Sequence, residues 1–178
     1  MKKVFKKSIS VLMIVLMCLT MAPLQGFVGL KLPDWFATAA AAADFISIDS
    51  AEDFYNIKKN LSANYRLMSN ISLSSYADWQ SLTSGGNYFS GEFDGNGYTI
   101  SDINITNYSN ASLFGYVRNA KIHDLHITDI NIDINTNANN FSVSTLCVTA
   151  RDSEIYDCSV SGKIKVESEK LFRISGFI

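Results

Sequence analysis

Histidine is nearly missing from this chain: His123 and His126 are the only two among 178 residues. With Asp124 and Leu125 between them they do not make His-Glu-x-x-His, the helical spacing that sets two imidazoles on one face for zinc. A zinc-peptidase motif is therefore absent. Cysteine is scarce as well, with Cys18, Cys147 and Cys158. Cys18 follows Met17 inside an apolar run, where a lipoprotein acceptor would need a small residue before it. Cys147 and Cys158 read as small buried hydrophobes, and a disulfide between them stays open in an exported protein. Positive charge is also short, 15 Lys and Arg against 17 Asp and Glu, with no basic patch, so no nucleic-acid partner is expected. Gly95-Asn-Gly97 is too short for a dinucleotide fingerprint and leads into Tyr98-Thr-Ile100, a strand and not a phosphate-cradling helix. The run Asp129 to Asn135 lacks the glycine and distal glutamate of a calcium loop and alternates at period two, which reads as a half-buried strand.

What is present begins with export. Lys2, Lys3, Lys6 and Lys7 precede the uncharged run Ile9 to Ala22, and a run of small residues, Ala39 to Ala43, satisfies the Ala-x-Ala requirement of a signal peptidase. The expected boundaries are a signal peptide over residues 1–43 and a mature start near Asp44. The alternative is an uncleaved span from Ser8 to about Leu30, interrupted by Pro23, Gln25 and Gly26. Without residues 1–43 the chain keeps 10 basic and 16 acidic side chains, a formal charge of −6.

Next, Ser50 to Leu61 sets Ala51, Phe54, Ile57 and Leu61 on one helical face, with Ser50 as N-cap and Asp53 near a capping-box position. Helical periodicity then ends. Three segments share one apolar triplet: Tyr98-Thr-Ile-Ser-Asp-Ile-Asn-Ile105, Ala120-Lys-Ile-His-Asp-Leu-His-Ile127 and Ser153-Glu-Ile-Tyr-Asp-Cys-Ser-Val160. This aligns Ile100 with Ile122 and Ile155, Ile103 with Leu125 and Cys158, and Ile105 with Ile127 and Val160. A second apolar pair, Leu113-Phe114 and Leu146-Cys147, opens the later repeats. The spacings are 22 and 33 residues, the difference fitting an insertion around Asp129 to Asn140. There Asn135, Asn137, Asn139 and Asn140 are expected to form a protruding polar loop. Because apolar positions are separated alternately by one and two residues, the chain must turn a corner inside each motif. Units this short cannot close their own core and must stack. The alternative is an antiparallel sandwich, for which Asp94-Gly95 and Asn96-Gly97 are hairpin signals.

These repeats resemble the GLUG-type rungs of bacterial surface proteins, through Ser112-Leu-Phe-Gly-Tyr-Val117, Glu154-Ile-Tyr-Asp-Cys-Ser-Val-Ser-Gly162 and the lead-in Phe89-Ser-Gly-Glu-Phe-Asp-Gly-Asn-Gly-Tyr-Thr-Ile100. The resemblance spans about residues 45 to 178, and Val148 departs from it where a glycine is expected. It implies a right-handed parallel β-helix with a short N-terminal capping α-helix: residues 44–97 as cap helix and lead-in strands, 98–178 as rungs. It also implies secreted or wall-attached proteins, adhesin-like chains and the N-terminal parts of immunoglobulin-cleaving metallopeptidases among them.

The remaining candidates favour structure over chemistry. His123 and His126 fall at outward positions of the triplet, where a solvated strand face accounts for them. Glu92, Asp94, Asp102, Asp124 and Asp157 supply carboxylates, and a glycosidase pair would depend on their separation in space. Asp102, Asp124 and Asp157 share one repeat position, predicting a stacked corner ladder with at most a weak cation site. The expectation is a non-enzymatic exported module, an adhesin-like stalk or scaffold for an extracellular ligand, carbohydrate or host surface protein, touching membrane only through its export segment. No catalytic, metal or cofactor residue is assigned. The alternative is the N-terminal part of a secreted peptidase or carbohydrate-active enzyme whose site lies beyond Ile178. Ser175-Gly-Phe-Ile178 resembles the opening of another rung, so a truncated, self-associating chain is also expected.

Overall fold

The structure is a computed structural model that describes residues 45–106 and 110–177. The expected signal peptide and its cleavage region lie outside the described residues. Within the compact unit Ala43–Ile178, the strands are β1 (Phe45–Ile48), β2 (Asn64–Leu67), β3 (Ile71–Ser72), β4 (Glu92–Asp94), β5 (Thr99–Ser101), β6 (Ile103–Thr106), β7 (Asn110–Ala111) and β8 (Gly115–Arg118). They continue as β9 (Lys121–His123), β10 (His126–Asn135), β11 (Phe141–Ser144), β12 (Cys147–Arg151), β13 (Glu154–Tyr156), β14 (Ser159–Glu167) and β15 (Phe172–Ser175). Among the described residues one α-helix, α1 (Ala51–Asn56), runs into a 3-10 turn at Ile57–Lys59.

Among the described residues every strand pairing is parallel, and each joins equivalent strands of successive coils. One sheet runs β1-β2-β4-β9-β13, a second β3-β5-β10-β14 with β6 also on β10, a third β7-β11-β15, and a fourth β8-β12. The described residues form a parallel β-solenoid of roughly three turns. The hairpin reading of Asp94-Gly95-Asn96-Gly97 is overturned, since β4 and β5 belong to different sheets and never pair. These residues turn a corner: Asn96 N–H donates to Asp94 Oδ1 at 2.7 Å, while Gly95 and Gly97 N–H donate to the carbonyls of His123 and Asp124 on the next rung. Gly95 must be glycine here, because a Cβ would fall on the Asp124 carbonyl.

Asparagine and aspartate make the corners. The non-glycine residues with positive φ among those described are Asn96, Asp102, Asn119, Asp124, Asp129, Asn140, Asp152 and Asp157. Left-handed backbone is costly for other side chains, and these two relieve it by local hydrogen bonding. They stack in columns. Asp124 and Asp157 follow the paired residues His123 and Tyr156, Asp102 and Asp129 precede the paired residues Ile103 and Ile130, and Asn119 and Asp152 follow the paired Arg118 and Arg151. Asp102 thus leaves the ladder expected for it with Asp124 and Asp157 and joins Asp129.

That shift belongs to a register correction. Ile100 pairs with Ile127, and Ile103 and Ile105 with Ile130 and Ile132. The partner of Ile122 on the preceding rung is Phe93, and on the following one Ile155. Ile127 does pair with Val160. The coil therefore advances 29 and then 33 residues at this position, and it starts before Tyr98, since β2 and β3 already stack under β4 and β5. Between Asp133 and Ser142 the third rung has nine steps, against four between Thr106 and Asn110 below it. The extra residues lengthen β10 and the turn after it. That turn is not a free protrusion: Thr136 and Asn140 N–H donate to the carbonyls of Glu167 and Leu171 on the next rung. At the other pair, Gly115 stands opposite Cys147, and Phe114 N–H donates to the Leu146 carbonyl. Cys147 thus occupies the glycine column, and Val148 forms a bulge.

Period-two alternation fills the interior. Along β10, Ile130, Ile132 and Ile134 are buried while Asp129, Asn131, Asp133 and Asn135 are exposed. Ile100, Ile103, Ile105, Leu113, Phe114, Ile122, Leu125, Ile127, Leu146 and Cys147 are all buried, whereas Ile155, Cys158 and Val160, on the last rung, are half-buried against the same core. The helix is shorter than its amphipathic pattern, but Ser50 caps it, with its Oγ accepting from Asp53 N–H at 3.1 Å and donating to Asp53 Oδ2 at 2.6 Å. Its Phe54 ring lies 5.5 to 5.8 Å from Trp79, Phe93 and Phe114, distances at which aromatic rings attract beyond their burial. Cys147 and Cys158 are free thiols, and burial pushes the Cys147 thiol up to about 12.

Candidate functional site

On the outward face of the β1-β2-β4-β9-β13 sheet, residues flanking the inward column Phe93, Ile122 and Ile155 stack into two outward columns. One holds Glu92, Lys121 and Glu154; the other holds Arg66, Asp94, His123 and Tyr156. Parallel strands about 4.8 Å apart place each side chain against its partner on the next rung. A column of alternating chemistry thereby becomes a chain of contacts.

Arg66 Nε donates to Asp94 Oδ2 at 2.7 Å, and its guanidinium covers the Phe45 ring at 4.2 Å. Lys121 Nζ is 3.4 Å from Glu92 Oε1. His123 sits at the centre: Nε2 is 2.9 Å from Glu92 Oε1, Nδ1 is 2.7 Å from Asp124 Oδ2, and Asp94 Oδ1 is 3.8 Å from Nδ1. The Tyr156 ring stacks on the imidazole, centroids 5.0 Å apart and 5° from parallel. The solvated role expected for His123 is thereby overturned, because only 8% of the residue is exposed. Asp94 is buried as well.

Burial, the largest single influence on His123, works against its charge. Hydrogen bonds to Asp124 and Glu92 and the charges of Asp94 and Asp124 outweigh it and hold the imidazolium above the usual histidine range. Lys121 is likewise raised, by its hydrogen bond to Tyr156 and then by the charge of Glu92. Asp94, His123 and Asp124 are the one group of metal-type donors that the described residues bring together, their ligand atoms within 4.8 Å. Arg66 already neutralises Asp94, and the 2.7 Å between Nδ1 and Asp124 is a hydrogen-bond length. A proton fits this spacing; a metal ion would have to displace both arrangements.

The other sequence candidates lie apart. Asp102 accepts from Ser72 and Ser101 hydroxyls at 2.6 and 2.9 Å, the Ser72 bond first and the Ser101 bond second in lowering its carboxyl below the usual range. His126 is exposed on β10, with Nδ1 2.7 Å from Ser159 Oγ. Of the five carboxylates named from sequence, Glu92, Asp94 and Asp124 meet at His123, while Asp102 belongs to another corner and Asp157 to the corner one rung on. Sequence reading passed over Arg66, Lys121 and Tyr156. Aligning the repeats on one corner column, Gly95, Asp124 and Asp157, would have brought Lys121 and Tyr156 into view, whereas Arg66 lies a rung before these corners. No helix among the described residues is long and apolar enough to cross a membrane. No protein family, curated protein or solved structure matches the chain.

Proposed function

We propose that the protein is a non-enzymatic exported module, an adhesin-like stalk or ligand-binding scaffold of a bacterial surface, whose ligand is a carbohydrate or host surface protein. The observation supporting this is the all-parallel stack itself. Backbone bonds run from rung to rung on each side of the coil, so outward side chains are held on a stiff frame, the arrangement that suits a spacer or a docking face. The Lys-rich segment and alanine run support export, and the likeness to GLUG-type rungs supports a surface setting.

The test expresses the full chain with a C-terminal tag in a bacterial host and follows the tag by surface proteolysis. The purified protein is then probed on glycan and extracellular-matrix arrays. The reading expects an accessible tag and saturable binding lost on unfolding. A tag retained in the cytoplasm, or turnover of a peptide or glycan substrate by the purified chain, would overturn it.

A further inference from the structure

His123 faces three carboxylates with two ring nitrogens. A neutral imidazole carries one N–H, so it can donate either to Glu92 at 2.9 Å or to Asp124 at 2.7 Å, and the other contact then sets a lone pair against a carboxylate oxygen. Only the doubly protonated ring satisfies both. The local charge count agrees: Glu92, Asp94 and Asp124 face Arg66 and Lys121, and a charged His123 makes three against three. Two more carboxylates, Glu154 opposite Lys121 and Asp157 in the corner after Tyr156, add negative charge from the next rung. Tyr156 covers the ring face.

We propose that His123 is a proton-operated clamp between rungs: protonated, it ties β4 to β9 through Glu92 and Asp94 while bracing its own corner through Asp124; deprotonated, it surrenders one of these contacts. The solenoid is then held most tightly in mildly acidic surroundings. The sign follows from the environment. A histidine that binds its proton more tightly when folded contributes stability fully present below its unfolded value, about 6.5, and lost as pH rises through the higher folded value. The side chain is nearly enclosed beside Asp124 and Lys121, which are open to solvent, and this gives protons access without exposing the ring to full screening.

The test uses the full chain in EDTA, following both imidazoles by NMR and thermal unfolding between pH 5.5 and 9. His123 should titrate above the usual histidine range, and the melting temperature should fall by roughly 3 °C or more across that titration. H126Q should keep this slope and H123Q should flatten it. E92Q, which removes one acceptor's charge, should lower the His123 midpoint, and it decides the matter should H123Q fail to fold. A His123 midpoint at or below the free-histidine value, a wild-type slope in H123Q, or a slope that appears only when EDTA is omitted and metal is present would overturn the proposal.

Discussion

Two faces of the same coil carry different outward chemistry over similar interiors. Under the β1-β2-β4-β9-β13 sheet the inward column is Phe93, Ile122 and Ile155; under its neighbour it includes Ile100 and Ile127, then Ile103, Ile130 and Ile105, Ile132. Outside, the first sheet bears Arg66, Glu92, Asp94, Lys121 and His123 in mutual contact. The second bears mostly amides and hydroxyls over β3, β5 and β6, with Asn131 Nδ2 donating to Asn104 Oδ1 at 2.8 Å and Ser72 and Ser101 on Asp102, and holds its ion pairs toward the last rung, where Lys165 on β14 meets Asp133 and Glu167. The inward residues account for the coil on both faces, so what differs outside is free to serve other ends. Stacking turns any outward residue into a column, and charge in a column must alternate or be neutralised, whereas amides can repeat.

The comparison breaks first if the interior does not dominate. Phe114→Ala, which empties a fully buried ring site touching Phe54, Phe89 and Phe93, should cost about 3–5 kcal/mol in denaturant unfolding, more than any outward substitution. The charged face comes next. Asp94→Ala leaves Arg66 without its carboxylate and should cost about 1–2 kcal/mol, partly recovered by Arg66→Ala in a double-mutant cycle. The amide face should be the most tolerant: Asn131→Ala removes a hydrogen bond between exposed groups and should cost no more than about 0.5 kcal/mol, with no dependence on salt. If Asn131→Ala matched Asp94→Ala, the distinction between the faces would fail. A last, small effect sharpens inside against edge: Cys158, half-buried, should react with a thiol reagent in the native state before Cys147, whose thiol is enclosed and raised by burial.

Much of the coil was legible along the chain. The alternation of Ile130, Ile132 and Ile134, the Asp and Asn at each bend and the Ser50 cap all declare themselves locally, because each depends on a residue's own backbone preference or on a period of two. Register was not legible in the same way. Tyr98–Ile105 matches Ala120–Ile127 in apolar spacing, but adjacent sides of a coil alternate alike, so the pattern fits two stackings one strand apart. The aligned version sets His123 beside Ser101; the folded one sets it beside Asp94. The candidate site could not be seen until that choice was made.

The sequence by itself therefore determined that the chain coils, which side chains go in and where it bends, since these follow from burial and backbone sterics. Tertiary structure decided which outward residue meets which. Strand pairings across rungs join positions 19 to 33 residues apart, and no local preference links Arg66 to Asp94 or Asp94 to His123. Only the stacking of whole rungs, driven by the interior, brings them together.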